Sequence, residues 1–124
     1  MAASMRYIVE DVPAAIAFYE RLGFQTAMHP APGFAAMCRN DLRLLLNAPG
    51  AGGAGQPSDD GQVPTPGGWN RIQLQVTDLA GIVEALSAEG RRVRTSIIDG
   101  RGGRQAVIED PSGNAVELFQ PSSA

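Results

Sequence analysis

The sequence predicts an α+β protein made of two tandem β-α-β-β-β modules, and an internal repeat is the main reason. Tyr7–Asp11 is followed by a stretch of helical apolar period that ends at Gly23, and Leu74–Asp78 by a similar stretch that ends at Gly90. The aspartate and the glycine are twelve residues apart in both copies, and the copies are offset by 67 residues. After each helical stretch the apolar period changes to two, which is typical of strands. Such a duplication indicates two similar modules within one structural domain.

Each module is predicted to begin with a strand and a helix. Asp11 and Asp78 are expected N-caps, because a carboxylate accepts the unpaired N–H groups of the first helical turn. Pro13 falls in that first turn, where its missing N–H costs little. Gly23 and Gly90 suit the left-handed position that follows a helix. The two helices are therefore bounded at both ends by the sequence itself.

Each module is predicted to end with a β-hairpin. In the first module, strands at Phe34–Cys38 and Leu42–Asn47 are joined by a turn at Arg39–Asp41. In the second, strands at Arg104–Glu109 and Asn114–Phe119 flank an Asp-Pro-Ser-Gly turn. With the strand that follows each helix, these hairpins complete the β-α-β-β-β order.

A segment rich in glycine and proline separates the modules. Residues 48–68 have no apolar period, so we expect either a solvated tether or a mobile flap that covers a ligand. The predicted organisation is a first module over 1–47, this linker or flap, and a second module over 69–124.

Charge and composition limit the possible partners. The chain has 124 residues and a net charge of −3, which argues against nucleic acid because nucleic-acid binding selects basic faces. No apolar stretch approaches the ~20 residues of a membrane helix, and we see no signal peptide. Cys38 is the single cysteine, so no intramolecular disulfide forms. We expect a cytoplasmic protein with neither a membrane nor a nucleic-acid partner.

Several motifs resemble the vicinal oxygen chelate superfamily, which includes glyoxalase I, extradiol dioxygenases and antibiotic-resistance proteins. They are Val9–Pro13, Phe18–Tyr19, Leu22–Phe24 and the C-terminal Glu109–Leu118, which together span nearly the whole chain. The hairpin at Phe34–Leu44 is similar to that of the bleomycin-resistance proteins. The resemblance implies two curved mixed sheets, or half-barrels, around a pocket with the helices outside. It also implies a homodimer.

The resemblance raises the question of a metal. The enzymes of that superfamily hold a divalent ion with four side chains, and the matching positions here are Ser4, Leu45, Arg71 and Glu117. Arg71 is a permanent cation without a lone pair to offer, Leu45 is apolar, and Ser4 is a poor neutral ligand. A single carboxylate does not replace three or four ligands. We therefore expect no metal and no other cofactor.

Arg71 and Glu117 match positions that converge on one pocket in the superfamily. We expect them to form an ion pair, the alternative being that Glu117 pairs only locally within its Gly-Asn-X-X-Glu-Leu pattern. Trp69 and Phe34 are candidates for stacking on a planar ligand, whereas His29, between two prolines, is expected to be a surface loop residue.

Strand alternation extends the implied pocket to neighbouring residues of the same face. The predicted ligand-binding residues are Ser4, Arg6, Phe34, Arg43, Leu45, Asn47, Trp69, Arg71, Gln73, Gln75, Glu117 and Phe119. This set is rich in amides and contains apolar area, which suits a large, partly aromatic ligand. No nucleophile or acid–base constellation is visible, so no catalytic residue is predicted.

The resemblance and this residue set favour a metal-free protein that sequesters a bulky, partly aromatic antibiotic or natural product of the bleomycin, mitomycin or enediyne type, conferring self-resistance. Two alternatives stay open. One is a glyoxalase-like or dioxygenase-like lyase or isomerase, and the other is a subunit or regulator that kept the fold without chemistry.

Overall fold

The computed structural model describes residues 3–122 and divides into two compact units, one up to Gly67 and one from Gly68. The elements of the first unit are β1 (Ser4–Ile8), α1 (Val12–Arg21), β2 (Gln25–Ala31), β3 (Phe34–Arg39) and β4 (Leu42–Asn47). Those of the second are β5 (Ile72–Gln75), α2 (Leu79–Ala88), β6 (Val93–Asp99), β7 (Gly103–Glu109) and β8 (Ala115–Pro121). The predicted α+β class and both β-α-β-β-β modules are confirmed.

Each unit contains a four-stranded mixed sheet, and the two sheets share one topology. The strand orders are β1-β4-β3-β2 and β5-β8-β7-β6. The first and last strands of each unit run parallel, and the other neighbours are antiparallel. This arrangement places the first and last strands of a unit side by side, so residues far apart in sequence share one stretch of sheet. Among residues 3–122, no helix is long and apolar enough to cross a membrane.

Both helices begin and end where the sequence predicts. The Asp11 carboxylate accepts a hydrogen bond from the Ala14 N–H at 3.0 Å, and that of Asp78 accepts one from the Gly81 N–H at 3.1 Å. Gly23, just after α1, has φ +92°, a left-handed conformation that a side chain makes costly. The caps pair backbone groups that a helix end would otherwise leave unsatisfied.

The core of the first unit is centred on Tyr19 of α1, which is fully buried. Its ring packs edge-on against Tyr7, Phe18 and Phe24, with ring centroids 6.3, 5.0 and 5.5 Å away. Because Tyr7 lies on β1, these contacts join the helix to the sheet. Each such aromatic pair adds roughly 0.5–1.5 kcal/mol beyond the burial of its area.

The core of the second unit is aliphatic. Leu79 and Leu86 of α2 are buried, as are Leu74, Val116 and Leu118 of the sheet. Burying a side chain of this size stabilises the fold by about 1.5–3 kcal/mol. Alternation along β5 and β8 then turns the intervening residues to the opposite face of the sheet.

One expectation about a loop needs correction. His29 is exposed as expected, but it lies in strand β2 and not in a loop. The pairing of β2 with β3 shifts register between Met28 and Ala31, and β2 is an edge strand. An edge strand tolerates Pro30 because a missing N–H on its outer side breaks no ladder bond.

The glycine- and proline-rich segment contains no helix or strand, but its first part is a closed loop. Ala48 donates to the carbonyl of Gly33 at 2.9 Å, and Gly50 donates to that of Gly55 at 2.8 Å. Gln56 donates to the Gly50 carbonyl at 3.2 Å. The start of this segment is therefore tied to the β2–β3 turn. Whether residues 48–68 act as a tether or as a flap stays a prediction.

Candidate functional site

The candidate site lies on the face of the second sheet opposite α2, which we call the open face and define by Gln73, Gln75, Glu117 and Phe119. The pairing of β5 with β8 sets Gln73 beside Glu117 and Gln75 beside Phe119. The residues between them are buried on the helix side, which confirms the predicted alternation. This face combines two exposed amides, a carboxylate and a half-buried aromatic ring.

Glu117 is the centre of a hydrogen-bonded cluster on the open face. Its Oε1 atom accepts from Nε of Arg71 at 3.0 Å and lies 2.9 Å from Nη2 of the same guanidinium. Its Oε2 atom accepts from Nε2 of Gln73 at 2.6 Å. The expected ion pair between Arg71 and Glu117 is confirmed, and Gln73 completes it. Arg71 itself lies one residue before β5, not within the strand, and also donates to the Trp69 carbonyl at 3.3 Å.

These residues do not fit a catalytic metal. Both oxygens of Glu117 are engaged by donors, and an ion bound there would have to displace the Arg71 guanidinium or face its charge. In the first unit, the matching positions are Ser4 and Leu45, and neither side chain offers a carboxylate or an imidazole. Among residues 3–122, no group of three or more His, Cys, Asp or Glu side chains is close enough to hold a metal.

Trp69 is 64% exposed and lies against Arg94, a residue that sequence reasoning did not select. The central guanidinium carbon of Arg94 is 4.6 Å from the centroid of the indole ring. Arg94 belongs to a short basic run, which resembles an ordinary solvated strand end. Only the contacts of its side chain with Gly68, Glu109 and Gly113 distinguish it from its neighbours.

The predicted residues of the first unit fall into two groups. Asn47 is buried: its amide oxygen accepts from Arg6 and its Nδ2 donates to the Ala51 carbonyl at 2.9 Å. Asn47 therefore holds the start of the 48–56 loop and has little capacity left for a ligand. The others lie on the sheet face that carries Asn47, as the pairing of β1, β4 and β3 shows: Ser4, Arg6, Arg43, Leu45 and Phe34. Their role in binding stays a prediction.

Two clefts lie in the second unit, and the first borders the open face at Gln75. One of about 530 Å³ is lined by Gln75, Thr77, Arg104 and Gln120 among others. A second of about 360 Å³ is lined by Gly68, Trp69, Arg92, Val93, Arg94 and Glu109. Each contains one predicted ligand-binding residue, Gln75 in the first and Trp69 in the second.

The fold and the cluster together define a two-module α+β protein in which three of the four positions expected to hold a metal carry poor ligands, namely Ser4, Leu45 and Arg71. The family model described as Glyoxalase/Bleomycin resistance protein/Dioxygenase superfamily matches residues 2–118. The chain therefore belongs to that superfamily, as the sequence motifs indicate. No curated protein sequence matches it significantly.

Solved structures share the fold over nearly the whole chain. TnmS3, an antibiotic binding protein from Streptomyces sp. CB03234, is 25% identical, with a TM-score of 0.70 over 98% of this chain and 96% of that one. A superfamily member from Sphaerobacter thermophilus DSM 20745 is 23% identical, with a TM-score of 0.73 over 97% and 96%. Lactoylglutathione lyase from Agrobacterium tumefaciens is 20% identical, with a TM-score of 0.68 over 97% and 92%. The last two establish similarity of fold alone.

Proposed function

We propose that the protein binds a bulky, partly aromatic antibiotic or natural product of the bleomycin, mitomycin or enediyne type and releases it unchanged. The observation that carries this proposal is the engagement of Glu117 by Arg71 and Gln73. The one matching position with a good metal ligand is thereby committed to holding two neighbouring side chains. Sequestration would protect a producing or exposed cell because bound drug does not reach its target.

The chemistry of the open face supports a binding role. Gln73 and Gln75 are exposed and offer amide donors and acceptors, while Phe119 offers apolar area. Pockets for small molecules commonly combine an apolar wall with a few fixed polar groups. Arg71 and Glu117 fix the position of Gln73, which reduces the entropy that its ordering would cost on binding.

The similarity to TnmS3 supports the same class of ligand. TnmS3 is an antibiotic binding protein, and it is 25% identical to this chain over almost the full length of both. Lactoylglutathione lyase is 20% identical, so its similarity concerns the fold alone. Engagement of both Glu117 oxygens by neighbouring donors argues against use of this residue as a metal ligand.

We also propose that the protein acts as a homodimer. The outer edges of β2 and β6 are unpaired within their own sheets, and Met28 and Ile98 on these strands are large exposed apolar residues. Exposed edges of this kind are normally covered or blocked in stable proteins. Light scattering at micromolar concentration should give twice the monomer mass, and a monomer would refute this part.

The binding proposal is tested by calorimetry with bleomycin, mitomycin C and an enediyne. We expect one of the three to bind, and Gln73→Ala to weaken that binding about tenfold through loss of a hydrogen bond and of the ordered cluster. Glu84→Ala, an exposed change on α2, is the matched control and should leave the affinity unchanged. If none of the three compounds binds, the proposed function is refuted.

A further inference from the structure

We propose that the cleft beside Trp69 takes a planar, acidic aromatic ring, and that Arg94 is the positioning residue that holds the indole ready to stack on it. This inference rests on the proposed function, because it specifies the kind of ring that a ligand of the second unit carries. It concerns only residues from Gly68 onward.

The Arg94 side chain is fixed by bonds in three directions. Its Nε pairs with Oε2 of Glu109 at 2.7 Å, Nη1 donates to the Gly68 carbonyl at 2.6 Å, and Nη2 donates to the Gly113 carbonyl at 2.8 Å. A guanidinium is planar, and its N–H groups point outward within that plane. Three bonds in the plane therefore set its orientation and leave its two faces for stacking.

The indole of Trp69 lies near that fixed cation. A separation of 4.6 Å between the guanidinium carbon and the ring centroid is within the range of a cation–π contact. The bond from Arg94 to the Gly68 carbonyl also holds the backbone immediately before Trp69. The Arg94 side chain thus positions both the indole ring and the backbone that carries it.

The remaining surface of the ring is open. Because Trp69 is 64% exposed, a planar ligand that covers the indole would remove a large apolar area from water, which is favourable. The ring borders a cleft of about 360 Å³, a volume that accommodates a ring system of two or three fused rings. An aromatic surface held in advance binds with less loss of conformational entropy than a free one.

The charges around the cleft favour an anion. Arg92 and Arg94 both line it, and one carboxylate, that of Glu109, faces them. Oε2 of Glu109 is committed to Arg94 at 2.7 Å, while Nε of Arg92 is 3.8 Å from the same oxygen and its side chain is 78% exposed. The guanidinium of Arg92 is therefore available to an acidic group on the ligand. A cationic ring would instead meet an indole that already interacts with one cation.

The test uses two planar probes of opposite charge, anthraquinone-2-sulfonate and proflavine, and the single tryptophan of the chain as a spectroscopic reporter. Calorimetry should show that the sulfonate binds at least tenfold more tightly than proflavine.

Without any probe, Arg94→Met should raise the acrylamide quenching constant of Trp69 emission about twofold and reduce its near-ultraviolet circular dichroism. Arg94→Lys should not restore either signal, because an ammonium cannot make three bonds in one plane.

Arg92→Met tests the proposal independently if Arg94→Met does not fold. Arg92→Met should weaken binding of the sulfonate about fivefold and leave acrylamide quenching unchanged. Arg101→Met, an exposed change elsewhere in the second unit, should alter neither measurement. Equal affinity for both probes, or quenching unaffected in Arg94→Met, would overturn the proposal. Acrylamide quenching is measured without any drug. If Arg94→Met raises the quenching of Trp69 but the protein binds none of the antibiotics, only the proposed function is refuted.

Discussion

Replacing Arg71 with methionine removes the cation that faces Glu117 while keeping a side chain of similar length. The change deletes two contacts to Oε1, at 3.0 and 2.9 Å, and leaves the bond from Gln73 to Oε2. Breaking a fully buried ion pair costs about 3–5 kcal/mol. Here the two side chains are 29% and 11% exposed, so water replaces part of the loss, and we expect about 2 kcal/mol.

Urea denaturation followed by circular dichroism measures this effect. With a typical slope of about 2 kcal/mol per molar urea, the midpoint should fall by roughly 1 M. The double variant Arg71→Met, Glu117→Gln should recover at least half of the loss, because no uncompensated charge remains. Arg104→Met is the matched control, since its ion pair with Asp99 is exposed and should contribute less than about 0.5 kcal/mol. A midpoint within 0.2 M (roughly 0.4 kcal/mol) of the parent in Arg71→Met would refute the reasoning.

Three further predictions concern the turns. Asp110→Ala should lower the free energy of unfolding by about 2 kcal/mol, because the buried carboxylate accepts from the Ser112 and Asn114 N–H groups, each at 2.9 Å. Urea denaturation measures this loss, and a value below about 0.5 kcal/mol would contradict the prediction. Gly23→Ala should lower the free energy of unfolding by about 1 kcal/mol, since the residue has φ +92°. An unchanged midpoint in urea would argue against that conformation. The hydrogen bond from the Ser58 hydroxyl, and then the Gln62 backbone bond, lower the pKa of Asp60 below its ordinary value of 3.8. The charged form therefore stabilises the loop above that pH and loses this effect as the pH falls through the lowered pKa. Ser58→Ala should raise the pKa of Asp60 in a carboxyl NMR titration, and an unshifted midpoint would exclude the Ser58 bond as its cause.

Local signals in the sequence predict most of the fold. Asp11 and Asp78 define the starts of the helices because a cap is a short-range interaction between residues three apart. The two hairpins follow from alternation and from turn residues such as Asn40, whose φ is +53°. The prediction of the Arg71–Glu117 pair depends on placing both residues on the superfamily pattern, because they lie 46 positions apart in the sequence and no local rule connects them.

The residues that sequence reasoning missed depend on long-range geometry. Arg94 gains its role from Glu109, Gly113 and Gly68, which lie 15, 19 and 26 positions away in the sequence. It falls within an irregular stretch of β6, where the register with β7 shifts between Val93 and Thr95, so simple alternation does not predict its direction. Likewise, Asn47 appears as a strand-end amide in the sequence, yet a loop four residues later occupies its side chain.

The central claim, binding without turnover or metal, is tested most directly by one equilibrium measurement. Protein dialysed against EDTA is mixed with the antibiotic that binds in calorimetry, and the affinity and the mass of the recovered drug are determined together. We predict an affinity equal to that of untreated protein, a stoichiometry of one drug per chain, and a drug of unchanged mass. Loss of binding after EDTA, or a recovered drug of altered mass, would contradict the account and favour a metal-dependent enzyme.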